Sequence, residues 1–395
     1  MSYLWVAVFA MLAQQSVATM SVHVVQVLAP VIAADIGVNP AAIGGYSALI
    51  YLSTMATALG CGGFIHRFGP LRMSQVALIG AMSALLIGVP GSLVLFALGG
   101  VTMGLAYGFS TPASSDILAR YTTPRTAGLA FSIKQTGVPV GGILAGSLIP
   151  FIALHAGWQG AVLAAAGICL ALTLALQPLR REYDRHRGAG GAAAFAGIGA
   201  RIRRIAGDRR LRDLGIAAIT YGGLQSTFIA FMTTYMVTRL GYGIERAGAV
   251  FAIAQAASIG ARILWGWIGT RYVGARPVLA GLGFLAAASA VATAFFAPAW
   301  PVVAVGAVAM AYSASAISWH GILLAEVARL APKDDVGGVT GAVIATGSIG
   351  SMAYPMLFGV ILGLTGSFTA GFLAAAVPAA LTGLLFLRRR DAAAE

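Results

Sequence analysis

Long apolar runs, each cut at glycine, proline or a basic cluster, set the first expectation for this chain. They fall at about 4–34, 41–65, 72–90, 93–119, 127–153 and 158–179, and again at 212–240, 246–269, 277–296, 299–328, 337–364 and 367–387. Each holds the roughly 20 apolar residues that a bilayer-crossing helix needs. Lipid offers a backbone no partners, and these runs are too long and too uniformly apolar for barrel strands, so they predict helices. The expected fold is an all-α integral membrane protein with twelve transmembrane helices in two six-helix bundles. Its expected divisions are an N-terminal bundle over 1–179, a linker over 180–211, a C-terminal bundle over 212–387 and a tail over 388–395.

Composition agrees. Of 395 residues, 59% are hydrophobic and 9% charged, whereas a soluble domain carries about 25% charge. The two cysteines, Cys61 and Cys169, both lie inside apolar runs, which excludes a disulfide framework or a zinc cluster. Neither GxxxxGK[ST] nor HExxH occurs, so an ATP-driven pump or a membrane protease has no residues to work with. The expectation is a protein that is not an enzyme and carries no cofactor.

The formal net charge is +13, and its placement decides what it means. The linker carries nine arginines in 32 residues around a Gly/Ala middle. That pattern reads as a cytoplasmic topology determinant lying against membrane lipid, not as a nucleic-acid site. Its later part, around Ile198, Ile202 and Ile205 with Arg201, Arg203, Arg204 and Arg209, predicts a short amphipathic surface helix. With both termini inside, 21 of the 25 Lys and Arg residues fall on the cytoplasmic side, Arg239 and Arg246 fall outside, and Lys134 and Arg262 lie within spans. That bias predicts a multi-pass protein of the inner cell membrane with cytoplasmic termini. The N-terminal run MSYLWVAVF has no preceding Lys or Arg, so no cleaved signal is expected.

The two halves repeat. Gly62, Arg67 and Arg72 recur as Gly266, Arg271 and Arg276 at a constant offset of 204; Asp116 and Glu326 share an offset of 210, as do Thr136-Gly137 and Thr346-Gly347. Parallel repeats of this kind place a substrate site near the membrane midplane, where the repeats meet. The loop Gly62-Gly-Phe-Ile-His66-Arg67-Phe-Gly69-Pro-Leu-Arg72 is similar to the signature between helices 2 and 3 of the major facilitator superfamily, and the resemblance spans nearly the whole chain. It departs from that signature at His66 and Thr270, which stand where the family has an acidic residue. The resemblance implies two pseudo-symmetric bundles, transport by alternating access and a monomer.

Asp116 and Arg120 sit four residues apart near the cytoplasmic end of their helix, and Glu326 and Arg329 three apart near theirs. Either spacing puts a pair on one helix face. The resemblance implies that these pairs bond the loops carrying Arg67, Arg72, Arg271 and Arg276 in one conformation and release them in another, so the eight are expected to act in gating.

Deeper in the spans, Lys134 and Arg262 each lie about eight residues from a cytoplasmic helix end, roughly 12 Å down at 1.5 Å per residue. Neither has an acidic neighbour at helical spacing, and burying a cation there costs about 2.5–3.5 kcal/mol. Snorkelling to the headgroups would relieve that cost; an anionic substrate would neutralise it. An arginine in helix 8 ahead of the second signature loop resembles the organic-anion branches of the superfamily, where it holds a carboxylate. Arginine's planar fork suits that task, with Lys134 acting as a point charge.

Gln135, His23, Tyr107, Tyr221, Gln225 and His320 complete the expected substrate-binding set. Helices 1, 4, 7 and 10, which hold most of them, line the central cavity in the resembling family. His23 and His320, with Asp35, are the groups the sequence offers for carrying a coupled proton. The expected activity is secondary transport of a small carboxylate together with a proton. The alternative is a drug or metabolite efflux antiporter of the same fold, which would want an acidic cavity residue that the spans lack. Arg262→Ala is expected to abolish anion binding and leave folding intact.

Overall fold

The computed structural model describes residues 3–123, 127–185, 198–331 and 336–388. Arg125, Arg187, Lys333, Arg389 and Arg390, the linker segment 186–197 and the tail from 389 onward lie outside the described residues. Every regular element among the described residues is helical. In chain order the α-helices are α1 (Tyr3–Ile36), α2 (Ala42–Phe68), α3 (Pro70–Gly88), α4 (Leu93–Tyr121), α5 (Ala127–Gln135), α6 (Gly137–Leu176), α7 (Arg180–Tyr183), α8 (Ile198–Gly207), α9 (Arg209–Leu240), α10 (Ile244–Ile268), α11 (Ala275–Ala294), α12 (Val302–Ala316), α13 (His320–Leu330), α14 (Val336–Thr365) and α15 (Phe368–Arg388), with a short 3-10 helix at Gln177–Leu179 and a π-helical turn at Gly269–Val273.

Eleven stretches among the described residues are long and apolar enough to cross a membrane. One of them runs through α6, where Gly157 leaves the helical region at φ 71° and ψ 171°. Only glycine takes that conformation without a steric penalty, so α6 divides there into two pieces and the count reaches the twelve expected.

Two spans depart from their expected continuity. The run at 127–153 breaks at Thr136, where the hydroxyl bonds back to the Ile133 carbonyl at 2.6 Å. The run at 299–328 breaks between α12 and α13 at residues 317–319. Just before that gap, Ser315 bonds back to the Ala311 and Tyr312 carbonyls at 2.9 and 3.0 Å. Short hydroxylated side chains offer the helical ladder a competing partner, but such a bond does not by itself end a helix: Ser114 makes the same bonds inside the unbroken α4.

The chain separates into two compact units: Met1–Pro40 with Leu49–Ala196 and Gly243–Ala252, and Ala41–Ala48 with Gly197–Tyr242 and Ile253–Glu395. In the first unit α1 runs through the core, buried from Gln14 to Pro30. Gly137 and Gly141 of α6 let that helix approach closely; a Cβ on Gly137 would lie 2.9 Å from the Leu12 carbonyl oxygen. In the second unit α9 holds the corresponding place, buried from Leu211 to Met236 with few interruptions. There α14 approaches it through Gly347, whose Cβ would lie 3.2 Å from the Ala218 carbonyl oxygen. Small residues at such crossings substitute close packing for the hydrophobic effect that lipid cannot supply. The back-bond of Thr136 also recurs, as Thr346 to the Val343 carbonyl at 2.7 Å.

Candidate functional site

In the first unit, α1 and α4 face each other through a seam of buried polar groups. Gln15 donates from Nε2 to Thr19 Oγ1 and Tyr107 OH, each at 3.3 Å. Its Oε1 accepts from Ser110 at 3.4 Å and Thr111 at 3.3 Å. Gln14 Oε1 takes a further bond from Ser110 at 3.1 Å, and its Nε2 is buried without a partner. A buried polar network is tolerated when its members are satisfied, and each remaining orphan is costly. Tyr107, one of the expected site residues, is thus tied to Gln15 and Thr19, while Thr19, Ser110 and Thr111 are not among those expected. Their signal was their spacing: residues 107, 110 and 111 of α4 share one helical face, as do 15 and 19 of α1.

Lys134, at the last turn of α5, is fully buried. Its Nζ lies 3.3 Å from Gln135 Oε1, a neutral amide, and no ion pair to it is found among the described residues. Complete burial excludes the snorkelling alternative, since the side chain reaches neither lipid nor water. His23 is 3% exposed and stands edge-on to Phe251, ring centroids 6.2 Å apart; among the described residues its Nδ1 has no hydrogen-bond partner. Asp35 accepts from Trp158 Nε1 at 2.8 Å.

In the second unit the gap between α12 and α13 organises the polar groups. A broken helix exposes carbonyls at one end and N–H groups at the other, and irregular backbone at membrane depth must find partners inside the protein. Here α10 supplies them. Trp265 Nε1 donates to the Ala314 carbonyl at 2.9 Å, and Arg262 Nη2 to the Ile317 carbonyl at 3.2 Å. Ser318 in turn donates to the Ser258 carbonyl of α10 at 3.0 Å. Arg262 also lies close enough to His320 for their charges to interact, which brings two expected site residues together. Tyr221 is not available in the same way: its hydroxyl donates to the Leu279 carbonyl at 2.5 Å and it is fully buried. Gln225 keeps a buried Oε1 without a partner.

The carboxylates expected in gating pair on their own helices. Asp116 bonds Arg120 at 2.7 Å, and Glu326 holds Arg329 through two contacts of 2.9 and 2.6 Å. Arg271 and Arg72 are exposed. Arg67 lies over the Phe68 ring at 5.3 Å. Arg276 is placed by Asp213 at 3.7 Å and by the Phe386 ring at 5.0 Å.

A carboxylate that sequence reasoning passed over does bind a signature loop. Asp184, just after α7 and 5% exposed, accepts from the backbone N–H of Leu71 at 2.8 Å and of Arg72 at 3.2 Å, with Arg180 at 3.5 Å. It caps the first turn of α3 from the far end of the unit's chain, where the loop itself offers His66. Burial pushes its carboxyl above the usual range, against the opposing pull of those N–H groups and Arg180. The segment is strapped down twice more, by Tyr183 OH to the Tyr3 carbonyl at 2.7 Å and by Tyr121 OH to Glu182 at 3.1 Å.

Comparison with known proteins follows the same direction. A family model described as Major Facilitator Superfamily matches residues 6–327. A probable galactarate/D-glucarate transporter of Escherichia coli (strain K12) is 24% identical over 394 residues, covering 90% of this chain and 86% of that one. A gallate transporter of Pseudomonas putida is 27% identical over 280 residues, covering 62% and 61%. Among solved structures, a bacterial homologue of the human lysosomal transporter Spinster, inward-facing and occupied, superposes with a TM-score of 0.75 at 15% identity, covering 98% of this chain and 97% of that one. That last likeness concerns the fold alone.

Proposed function

The chain belongs to the major facilitator superfamily, and from that premise we propose that it is a secondary transporter of a small organic anion, a carboxylate, moved by alternating access together with a proton across the inner cell membrane. The observation that carries this reading is Lys134, a fully buried cation whose described polar partner is the neutral amide of Gln135. A charge held in a dry interior is strongly disfavoured unless something neutralises it, and a substrate anion does so. Arg262 gives the second unit its own cation at membrane depth, with a fork suited to a carboxylate. The printed names of two relatives, a probable galactarate/D-glucarate transporter and a gallate transporter, agree with an anionic cargo.

For the proton, His23 and His320 are the favoured carriers, because each has a buried Nδ1 without a hydrogen-bond partner among the described residues, whereas Asp35 is engaged by Trp158. In gating, Asp116 and Glu326 exchange their present arginines for those of the loops at Arg67, Arg72, Arg271 and Arg276. Asp184 adds a fixed carboxylate to the first of these loops.

Uptake of radiolabelled D-glucarate and gallate into proteoliposomes, with and without an inward proton gradient, tests the reading. Gradient-stimulated uptake that disappears in Lys134→Gln supports it; transport of lipophilic cations with no response to carboxylates overturns it.

A further inference from the structure

The gap between α12 and α13 is not required by the shared architecture. The offset of 210 that relates Asp116 to Glu326 sets residues 317–319 against residues 107–109, and there α4 runs on without interruption from Leu93 to Tyr121. The break is thus particular to the second repeat.

It leaves a half-helix of 11 residues whose start is bare. Trp319 occupies the N-cap position and makes no side-chain capping bond. The first bond of the new helix runs from the Leu323 N–H to the Trp319 carbonyl at 3.1 Å, so the N–H groups of His320, Gly321 and Ile322 have no partner within it. The indole of Trp319 stacks on the imidazole of His320, ring centroids 3.8 Å apart and planes 24° from parallel, which holds it beside the first residue of α13. Trp319 is 2% exposed, and its Nε1 has no hydrogen-bond partner among the described residues. On the other side of the gap the Arg262 guanidinium is held at the Ile317 carbonyl, bringing a positive charge to the same few residues.

We propose that this gap is an anion subsite in which a substrate carboxylate caps α13, accepting from the Trp319 indole N–H and the open first-turn N–H groups while Arg262 supplies the opposing charge. Helix N-termini favour anions because their N–H groups and dipole both point outward. A buried donor with no acceptor is costly in the empty site, and the arriving carboxylate removes that cost. The inference rests on the reading of the cargo as a carboxylate and adds where its charged end is held.

Trp319→Phe keeps an aromatic ring at His320 and deletes the indole N–H together with the volume of the second ring. Calorimetric titration of the purified full-length protein with D-glucarate and gallate is expected to show about tenfold weaker binding in this variant, the loss typical of one hydrogen bond to a charged group, while the unliganded protein still folds and melts below the parent because of the buried volume lost. Equal affinities in the variant and the parent overturn the subsite and leave the carboxylate reading standing. A parent that binds neither compound and binds a lipophilic cation instead overturns both. Should the variant fail to fold, the parent labelled with 15N at its six tryptophans still answers: one indole N–H resonance moving downfield on saturation with either carboxylate supports the assignment, and six unmoved resonances overturn it.

Discussion

The Asp184 carboxylate occupies the space that any side chain on Gly69 would need, since a Cβ built on that glycine runs into the carboxyl group. Gly69 also sits at φ 97°, a region that costs an L-residue about 1–2 kcal/mol. Two penalties thus meet in Gly69→Ala: the strained backbone and the displaced cap. The variant is expected to melt well below the parent in detergent. Asp184→Ala removes only the cap, worth about 1 kcal/mol, and the double variant should fall short of the sum because the clash has gone. Differential scanning fluorimetry of the four proteins checks this.

Acidity should act on the same contact. Burial raises the Asp184 carboxyl above its ordinary value of 3.8, so the folded strap binds a proton more readily than the unfolded chain does. Stability linked to this group is then fully present below the unfolded value and is lost as pH rises through the folded one. Relative to Asp184→Asn, the parent is expected to gain melting temperature as pH falls through that window. A parent that loses ground to the variant on acidification would mean that the N–H groups and Arg180 outweigh burial.

At Lys134 stability and function should part. Replacing a buried ammonium whose described polar partner is a neutral amide with Met removes a burial cost of about 2.5–3.5 kcal/mol, so Lys134→Met is expected to melt higher than the parent while carboxylate binding is lost. A drop in melting temperature, read alongside titration, would mark the lysine as part of a satisfied structural contact instead.

Much of this architecture was legible in residue order, and the reason is periodicity. Gly137 and Gly347 share their offset because each is the point where a helix crosses the core helix of its own unit, α1 or α9. The crossing tolerates them unequally, however. A methyl on Gly137 would meet the Leu12 carbonyl oxygen at 2.9 Å, and one on Gly347 the Ala218 carbonyl oxygen at 3.2 Å. Gly137→Ala should therefore lower the melting temperature more than Gly347→Ala, a ranking that thermal denaturation of the pair can reverse. What the sequence concealed has a different physical origin. The gap between α12 and α13 lies inside an unbroken apolar run, which hydropathy reads as one continuous span. Asp184 lies 112 residues from the Arg72 N–H it caps, in a segment that reads only as basic. Long-range caps leave no local pattern.

Arg262 is where the expectation from sequence needs revision. Its guanidinium holds the Ile317 carbonyl at the open end of α12, and Trp265 one turn along α10 holds the Ala314 carbonyl. Arg262→Ala therefore strips a charged donor from a buried carbonyl, a loss of about 1.5–3 kcal/mol, and cannot be a silent substitution for folding. Arg262→Lys keeps a donor and a charge but not the fork. The lysine variant is expected to retain most of the parent's melting temperature while losing carboxylate affinity, because an ammonium cannot serve the Ile317 carbonyl and both oxygens of a bound anion in one plane. Trp265→Phe provides the control: it opens the Ala314 carbonyl without touching any positive charge, so it should lower the melting temperature and leave calorimetric affinity for D-glucarate nearly as in the parent. If Trp265→Phe and Arg262→Lys weakened binding equally, the guanidinium would be acting through the shape of the gap and not through its charge.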